Sequence, residues 1–176
     1  MATRSRNRLL LLVLVALIAC LAYLPLVDAP AAAQTTPTPV NVSVIRVHGD
    51  IDPGMAAFVR RVLKTAEDSA SGVVVIDIRT FGGLLESAIE IRDAIVDARV
   101  PTIAFVKDRA HSAGALITLA AEHVAVSQGG TFGSAEPRVV AGFGLQSADS
   151  KTISALRAEF ESTARLRGRD SQLAAA

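Results

Sequence analysis

The sequence predicts an α/β fold in which strands and helices alternate around a largely parallel sheet. Four short runs rich in β-branched residues, at 41–48, 73–78, 102–106 and 123–127, have the length and composition of strands. Segments with apolar residues at helical spacing separate the first three strands, and a short apolar helical run precedes the fourth. Strands separated by helices form βαβ units, whose strands are parallel.

The helices are predicted from their starts and their apolar stripes. Asp52-Pro53 is a capping carboxylate followed by proline in the first turn. A second helix covers residues 84–98 and is blocked by the proline that follows. Residues 112–121 form a short, almost wholly apolar helix, which should be central, and residues 149–167 form a third amphipathic helix.

Two other stretches carry structural expectations. Residues 73–78, VVVIDI, are a continuous apolar run, which is typical of a parallel strand buried on both faces. Residues 131–148 are rich in glycine and are predicted to be irregular.

The first forty residues read as an export segment. Arginines precede the apolar run 9–27, which spans 19 residues and leads to an Ala-Ala-Ala site. This pattern predicts a signal peptide or an uncleaved signal anchor over residues 1–33, a linker over 34–40, and a domain over 41–176. In both cases the domain is exported, to the periplasm or the outer face of the cytoplasmic membrane.

Composition excludes several classes of function. The net charge of +1 and the lack of tryptophan argue against nucleic acid as a partner. The single cysteine, Cys20, lies in the apolar run, so intrachain disulfides and cysteine-based metal sites are excluded. The three histidines have no metal-ligand spacing, so neither a metal nor a cofactor is expected.

Two strand-to-helix turns could carry chemistry. Residues 79–83, RTFGG, place paired glycines where backbone N–H groups could stabilise an oxyanion, although a plain turn would use the same glycines. Ser112 stands in the next such turn, where its hydroxyl either caps the helix or acts as a nucleophile beside the N–H of Ala113. Both turns follow neighbouring strands, so they should converge on one crevice.

A serine nucleophile needs a base. His111 is adjacent to Ser112 in sequence, so its side chain should point elsewhere, and His123 fits a structural role better. Lys151 begins the last long helix after a glycine-rich stretch that could fold over the crevice, and Lys107 is the alternative. A lysine can serve only if its neutral form is populated, which burial favours.

Three separated stretches resemble a known family, the ClpP-like serine protease domain of NfeD-type membrane proteins, which is related to signal peptide peptidase A. VVVIDIRTFGGLLESAIEIRDAI is similar to the family's strand, Gly-Gly turn and helix. PTIAFVKDRAHSAGALITLAAEHVAVSQGGTFGSAEP is similar to its nucleophile segment, and DSKTISALRAEFESTARLRGRD to its lysine helix.

The resemblance implies a ClpP/crotonase-like ββα superhelix and a Ser-Lys dyad of Ser112 and Lys151. It implies oxyanion donors from Gly83, Gly82 and Ala113. It further implies a membrane-associated endopeptidase that acts on peptides or on hydrophobic segments of stomatin-like membrane proteins, and that assembles as a homo-oligomer, a dimer or higher.

The sequence departs from the family in two ways. Phe81 stands where the family usually has proline, and the chain ends at Ala176, so the resemblance implies a C-terminally incomplete domain. Both departures leave open a catalytically inactive interaction module that assembles with a membrane partner. A crotonase-like acyl-CoA enzyme is disfavoured, because CoA thioesters are cytosolic and this chain carries an export signal.

Overall fold

The alternation of strands and helices predicted from the sequence is present in the structure, a computed structural model that describes residues 40–69, 71–141 and 144–174. The predicted signal segment lies outside these residues. No helix among them is both long enough and apolar enough to cross a bilayer. The strands are β1 Val42–His48, β2 Val73–Thr80, β3 Thr102–His111, β4 His123–Val126, β5 Thr131–Gly133, β6 Arg138–Ala141 and β7 Gly144–Ser147. The helices are α1 Pro53–Asp68, α2 Leu85–Val96, α3 Ala113–Ala120, α4 Ser150–Leu166 and α5 Ser171–Ala174.

Five of the strands form one sheet in which every pairing is parallel. The order is β1-β2-β3-β4, and β5 pairs with the last part of β3. The ends of β2 and β3 lie side by side, with Thr80 opposite Ala110. The predicted parallel sheet is therefore confirmed, and the two turns that follow β2 and β3 share one edge of it.

The helices cover one face of the sheet more completely than the other. On the covered face, Ile45, Ile76 and Ala104 lie in one row across three strands and are fully buried. On the opposite face, Val44 is 55% exposed and its neighbour Val75 is only partly buried. The expectation that residues 73–78 are buried on both faces is therefore wrong, because successive side chains alternate between a sealed face and a partly open one.

Helix α3 occupies the centre of the domain, as its composition predicts. All eight residues of Ala113–Ala120 are buried. Gly114 allows this close packing, because a Cβ there would lie 2.5 Å from Thr80 Cγ2. The helix that follows Ser112 is thus held against the end of β2.

The structure differs from the sequence prediction between residues 131 and 148. Strand β3 continues beyond Val106 to His111, and its added residues pair with β5. Strands β6 and β7 form an antiparallel pair. Strands β5, β6 and β7 are only three or four residues long, so they are too short to show the alternating apolar pattern from which strands are predicted.

Two arginines after α4 tie the C-terminal segment to the core. Arg167 Nε donates to the Ala120 carbonyl oxygen at 2.7 Å. Arg169 donates to the carbonyl oxygens of Leu119 and Ala121, both at 2.8 Å. These carbonyls lie at the end of α3, where helical acceptors lack partners within the helix. Burial, with a contribution from the charge of Arg167, lowers the pKa of the Arg169 guanidinium.

Replacing Arg169 with alanine should lower the free energy of unfolding by about 2–3 kcal/mol, because several carbonyl groups at the end of α3 lose a charged donor. Urea denaturation followed by circular dichroism would measure the change. Arg165→Ala is the matched control: that side chain is 65% exposed and lies 3.9 Å from Glu161, so we expect a change within about 0.5 kcal/mol. Equal losses in the two variants would contradict the role assigned to Arg169.

Candidate active site

The turn after β2 and the turn after β3 meet at the edge of the sheet. A Cβ placed on Gly82 would lie 2.8 Å from Ser112 Cβ and 3.1 Å from Ser112 Oγ. Only glycine permits so close an approach, and Gly82 also has a φ of 126°, which disfavours other residues. The structure therefore brings the Gly-Gly turn against Ser112, as the positions of the two turns along the chain predict.

Ser112 does not behave as a helix cap. Its φ of 53° and ψ of −118° differ from the extended backbone of a capping residue, and its side chain makes no capping hydrogen bond. A positive φ at a non-glycine residue stores about 1–3 kcal/mol of strain, and such strain concentrates at functional sites. The backbone is held by a 2.8 Å hydrogen bond from Ser112 N–H to the Gly133 carbonyl oxygen. This geometry resembles the sharp strand-to-helix turn that exposes a nucleophilic serine.

Two of the three expected oxyanion donors are unengaged. The N–H of Gly82 donates to Thr80 Oγ1 at 2.9 Å, so it is already occupied. The N–H groups of Gly83 and Ala113 have no hydrogen-bond acceptor within the described part of the chain. The two residues directly follow Gly82 and Ser112, and both line one cavity together with Ser112. The arrangement offers two free N–H donors near the Ser112 hydroxyl.

A cavity of about 310 Å³ opens beside Ser112. Gly83 and Ala113, which carry the two unengaged N–H groups, both line it. Most of its remaining wall is apolar, with a Glu136–Arg138 ion pair of 2.8 Å as its charged part. The apolar lining comes from α2, α3, α4 and the segment before β6: Leu84, Leu85, Leu116, Ala135, Pro137, Leu156 and Phe160.

Lys151 lies at the start of α4, next to this cavity. Asp149 caps the helix by accepting from the N–H of Thr152 at 2.8 Å, and this hydrogen bond holds the pKa of the Asp149 carboxyl below its usual range. Thr152 lines the cavity together with Ser112. The Lys151 side chain is exposed, and within the described ranges its amine makes no hydrogen bond to Ser112 Oγ and no ion pair. The structure thus brings the helix to the site without joining the two side chains.

In the part of the chain that the structure describes, the other basic residues considered from the sequence make no hydrogen bond to the Ser112 hydroxyl. His123 begins β4, at the opposite end of the sheet from the turn that carries Ser112. Lys107 has an exposed side chain on β3. The His111 ring lies against Phe81, with 6.3 Å between ring centroids, and its Nε2 lies 3.3 Å from Thr131 Oγ1.

Sequence reasoning missed a cluster beside the serine. Arg109 and His111 both contact the ring of Phe81, whose centroid lies 4.8 Å from the Arg109 guanidinium carbon. Residues two apart in a strand point to the same face. That spacing would have placed Arg109 and His111 together had β3 been predicted to extend past residue 106.

Solved structures with a similar fold define the class of protein. The 1510-N membrane protease of Pyrococcus horikoshii, specific for a stomatin homologue, matches with a TM-score of 0.64 at 22% identity, covering 78% of this chain and 62% of that one. A variant of the 1510-N protease in complex with a substrate peptide gives 0.74 at 23% identity, covering 78% and 65%. ClpP1 from Listeria monocytogenes gives 0.52 at 20% identity, covering 75% and 76%. The chain therefore has a ClpP-like α/β fold.

The sequence comparisons identify the family. Residues 41–176 match the NfeD1b N-terminal domain. The chain is also 40% identical over 136 residues to membrane protein NfeD1b of Bacillus subtilis (strain 168), a match that covers 77% of this chain. It spans about three tenths (30%) of the length of that relative. The chain belongs to the NfeD1b N-terminal domain family.

Proposed function

We propose that this domain is a serine endopeptidase in which Ser112 is the nucleophile and Lys151 is the base. The observation that carries the proposal is the state of Ser112. Its hydroxyl makes no hydrogen bond among the described residues, its backbone is strained, and two unengaged N–H groups stand beside it. A serine with a purely structural role would use its hydroxyl as a cap and would gain nothing from this strain.

The chemistry is acyl transfer. Ser112 Oγ attacks the peptide carbonyl carbon while the neutral Lys151 amine takes the hydroxyl proton. The carbonyl oxygen gains negative charge and accepts from the N–H groups of Gly83 and Ala113. Lys151 then passes the proton to the leaving amine, and water hydrolyses the acyl-enzyme ester. Because the Lys151 amine is exposed without substrate, we propose that a bound peptide covers it, removes water and favours its neutral form.

The proposed substrate is a hydrophobic segment of a membrane-associated protein, with stomatin-like proteins as the candidates. The apolar cavity wall beside Ser112 would accept aliphatic side chains. A structural relative is described as a stomatin-specific protease and another is bound to a substrate peptide. The Bacillus relative is described as a membrane protein. Export to the outer face of the membrane and assembly as a homo-oligomer complete the proposal.

A fluorophosphonate probe tests the nucleophile directly. We expect the probe to add one phosphonyl group to Ser112, seen by intact mass and located by peptide mapping, because the adjacent N–H groups stabilise the charged intermediate. Ser112→Ala should not react, and neither should Ser134, which also has a positive φ of 52°. Absence of labelling in the wild-type domain would contradict the protease proposal.

One observation favours the second candidate, a catalytically inactive module that binds a membrane partner. Among the described residues the exposed Lys151 amine makes no hydrogen bond to Ser112, whereas a preformed dyad would have one. In that case the probe would leave Ser112 unmodified, and Ser112→Ala would bind an apolar peptide as well as the wild type does.

A further inference from the structure

An exposed aromatic side chain stands beside the nucleophile. Phe81 is 73% exposed, more than any other large apolar side chain in the described residues. The His111 ring stacks on it with an interplanar angle of 16°, and the Arg109 guanidinium carbon lies 4.8 Å from its centroid. We call these three side chains the aromatic platform. Stacking and cation–π contacts favour this orientation of the ring although water reaches much of it.

The aromatic platform and the apolar cavity flank Ser112. Phe81 and His111 directly precede Gly82 and Ser112, and a Cβ placed on Gly82 would lie 2.8 Å from Ser112 Cβ. Gly83 and Ala113 directly follow them and line the cavity. No residue of the aromatic platform lines that cavity. The platform therefore lies next to Ser112 but outside the cavity, so an extended chain laid across Ser112 could reach both surfaces.

The geometry points to Phe81 as a specificity residue that binds a large apolar or aromatic side chain of the substrate outside the apolar cavity. A rigid aromatic surface offers contact area at little loss of conformational freedom. Phe81 makes this contact itself, whereas Arg109 and His111 position the ring. The inference rests on the proposed function for its peptide ligand, but the contact does not depend on catalysis.

The test measures binding to the Ser112→Ala protein, so cleavage plays no part. The probe is a dansyl-labelled decapeptide of alanine and leucine, with one phenylalanine moved through successive positions. We expect phenylalanine at one position to tighten binding about five- to tenfold relative to alanine there. This gain from phenylalanine should disappear when Phe81→Ala is added. The tighter binding given by a leucine, relative to alanine, at the position that enters the cavity should remain.

Leu166→Ala, added to Ser112→Ala, is the matched control, because Leu166 is 60% exposed and lies at the end of α4. It should leave every affinity within about twofold, since additivity holds for distant sites. A uniform loss across all peptides in the Phe81→Ala protein, or an undiminished gain from phenylalanine, would overturn the inference. Failure of all peptides to bind would overturn it as well.

The peptide-binding experiment and the fluorophosphonate experiment can fail independently of each other. If the wild-type domain is not labelled by fluorophosphonate but the phenylalanine gain depends on Phe81, the protease proposal fails and the specificity residue stands as part of a peptide-binding site. If labelling occurs and the gain is absent, the reverse holds.

Discussion

Lys151→Ala should lower kcat/KM for an apolar peptide about a thousandfold or more, because the proposed dyad then lacks the base that would take the Ser112 proton. Lys151→Arg should be equally inactive: the guanidinium keeps the positive charge but cannot release a proton. The free energy of unfolding should change little in either variant, since the Lys151 side chain is exposed. Peptide hydrolysis by the purified domain, followed by mass spectrometry, would measure the effect.

Lys107→Ala is the control, and it also tests Lys107 as the alternative base. Lys107 is exposed on β3, five residues before Ser112 in the sequence, and its removal should leave kcat/KM within about twofold. Activity lost in Lys107→Ala but retained in Lys151→Ala would transfer the role of base to Lys107. Full activity in both variants would remove the Ser-Lys dyad.

Gly83→Ala should lower the free energy of unfolding by about 3 kcal/mol or more, and should reduce cleavage about a hundredfold. The new Cβ would lie 2.2 Å from the Ile51 carbonyl oxygen and 2.5 Å from the Ile51 nitrogen. Ile51 is fully buried, and both of these backbone atoms hydrogen-bond to the turn. The Ile51 N–H donates to the Gly82 carbonyl oxygen at 3.0 Å, and the Leu84 N–H donates to the Ile51 carbonyl oxygen at 2.8 Å. Relieving the clash must therefore move the N–H that would stabilise the oxyanion.

Gly129→Ala isolates the steric effect. Gly129 has a φ of 89°, so alanine is strained there, but a Cβ would meet no atom within 4 Å. We expect a loss of about 1 kcal/mol from backbone strain alone, with normal cleavage. Thermal unfolding and peptide hydrolysis of the two variants side by side make the comparison. Similar losses of stability and of cleavage in the two variants would show that the close approach of Gly83 to Ile51 contributes to neither.

Much of the fold could be predicted because its core elements obey local rules. The capping pairs at Asp52 and Asp149 mark the true starts of α1 and α4. Continuous or periodic apolar runs mark four of the five strands of the sheet and the buried helix α3. The late strands could not be predicted, since β5 exists only by pairing with an extension of β3 that lies distant in sequence.

Part of the candidate site could also be predicted from local sequence patterns, and part could not. From the sequence, two glycines and a serine could be assigned to turns after parallel strands, and parallel strands bring their ends to one edge. The sequence could not tell a serine that caps a helix from one whose hydroxyl makes no capping bond, because both stand at the start of a helix. It also could not indicate that Thr80 occupies the N–H of Gly82, a contact made by a side chain folding back on its own turn.

The sequence by itself determined four strands of the sheet, the four longer helices, the parallel strand pairing and the residue types available for chemistry, because these follow from local pattern and chain connectivity. Only the tertiary structure decided that the Ser112 hydroxyl does not cap the helix. It also decided that the N–H groups of Gly83 and Ala113 lack acceptors among the described residues, and that Phe81 contacts both Arg109 and His111. The backbone of Ser112 is held by Gly133, and Phe81 is contacted by two residues of β3. Such contacts join residues far apart in the chain, so no local pattern predicts them.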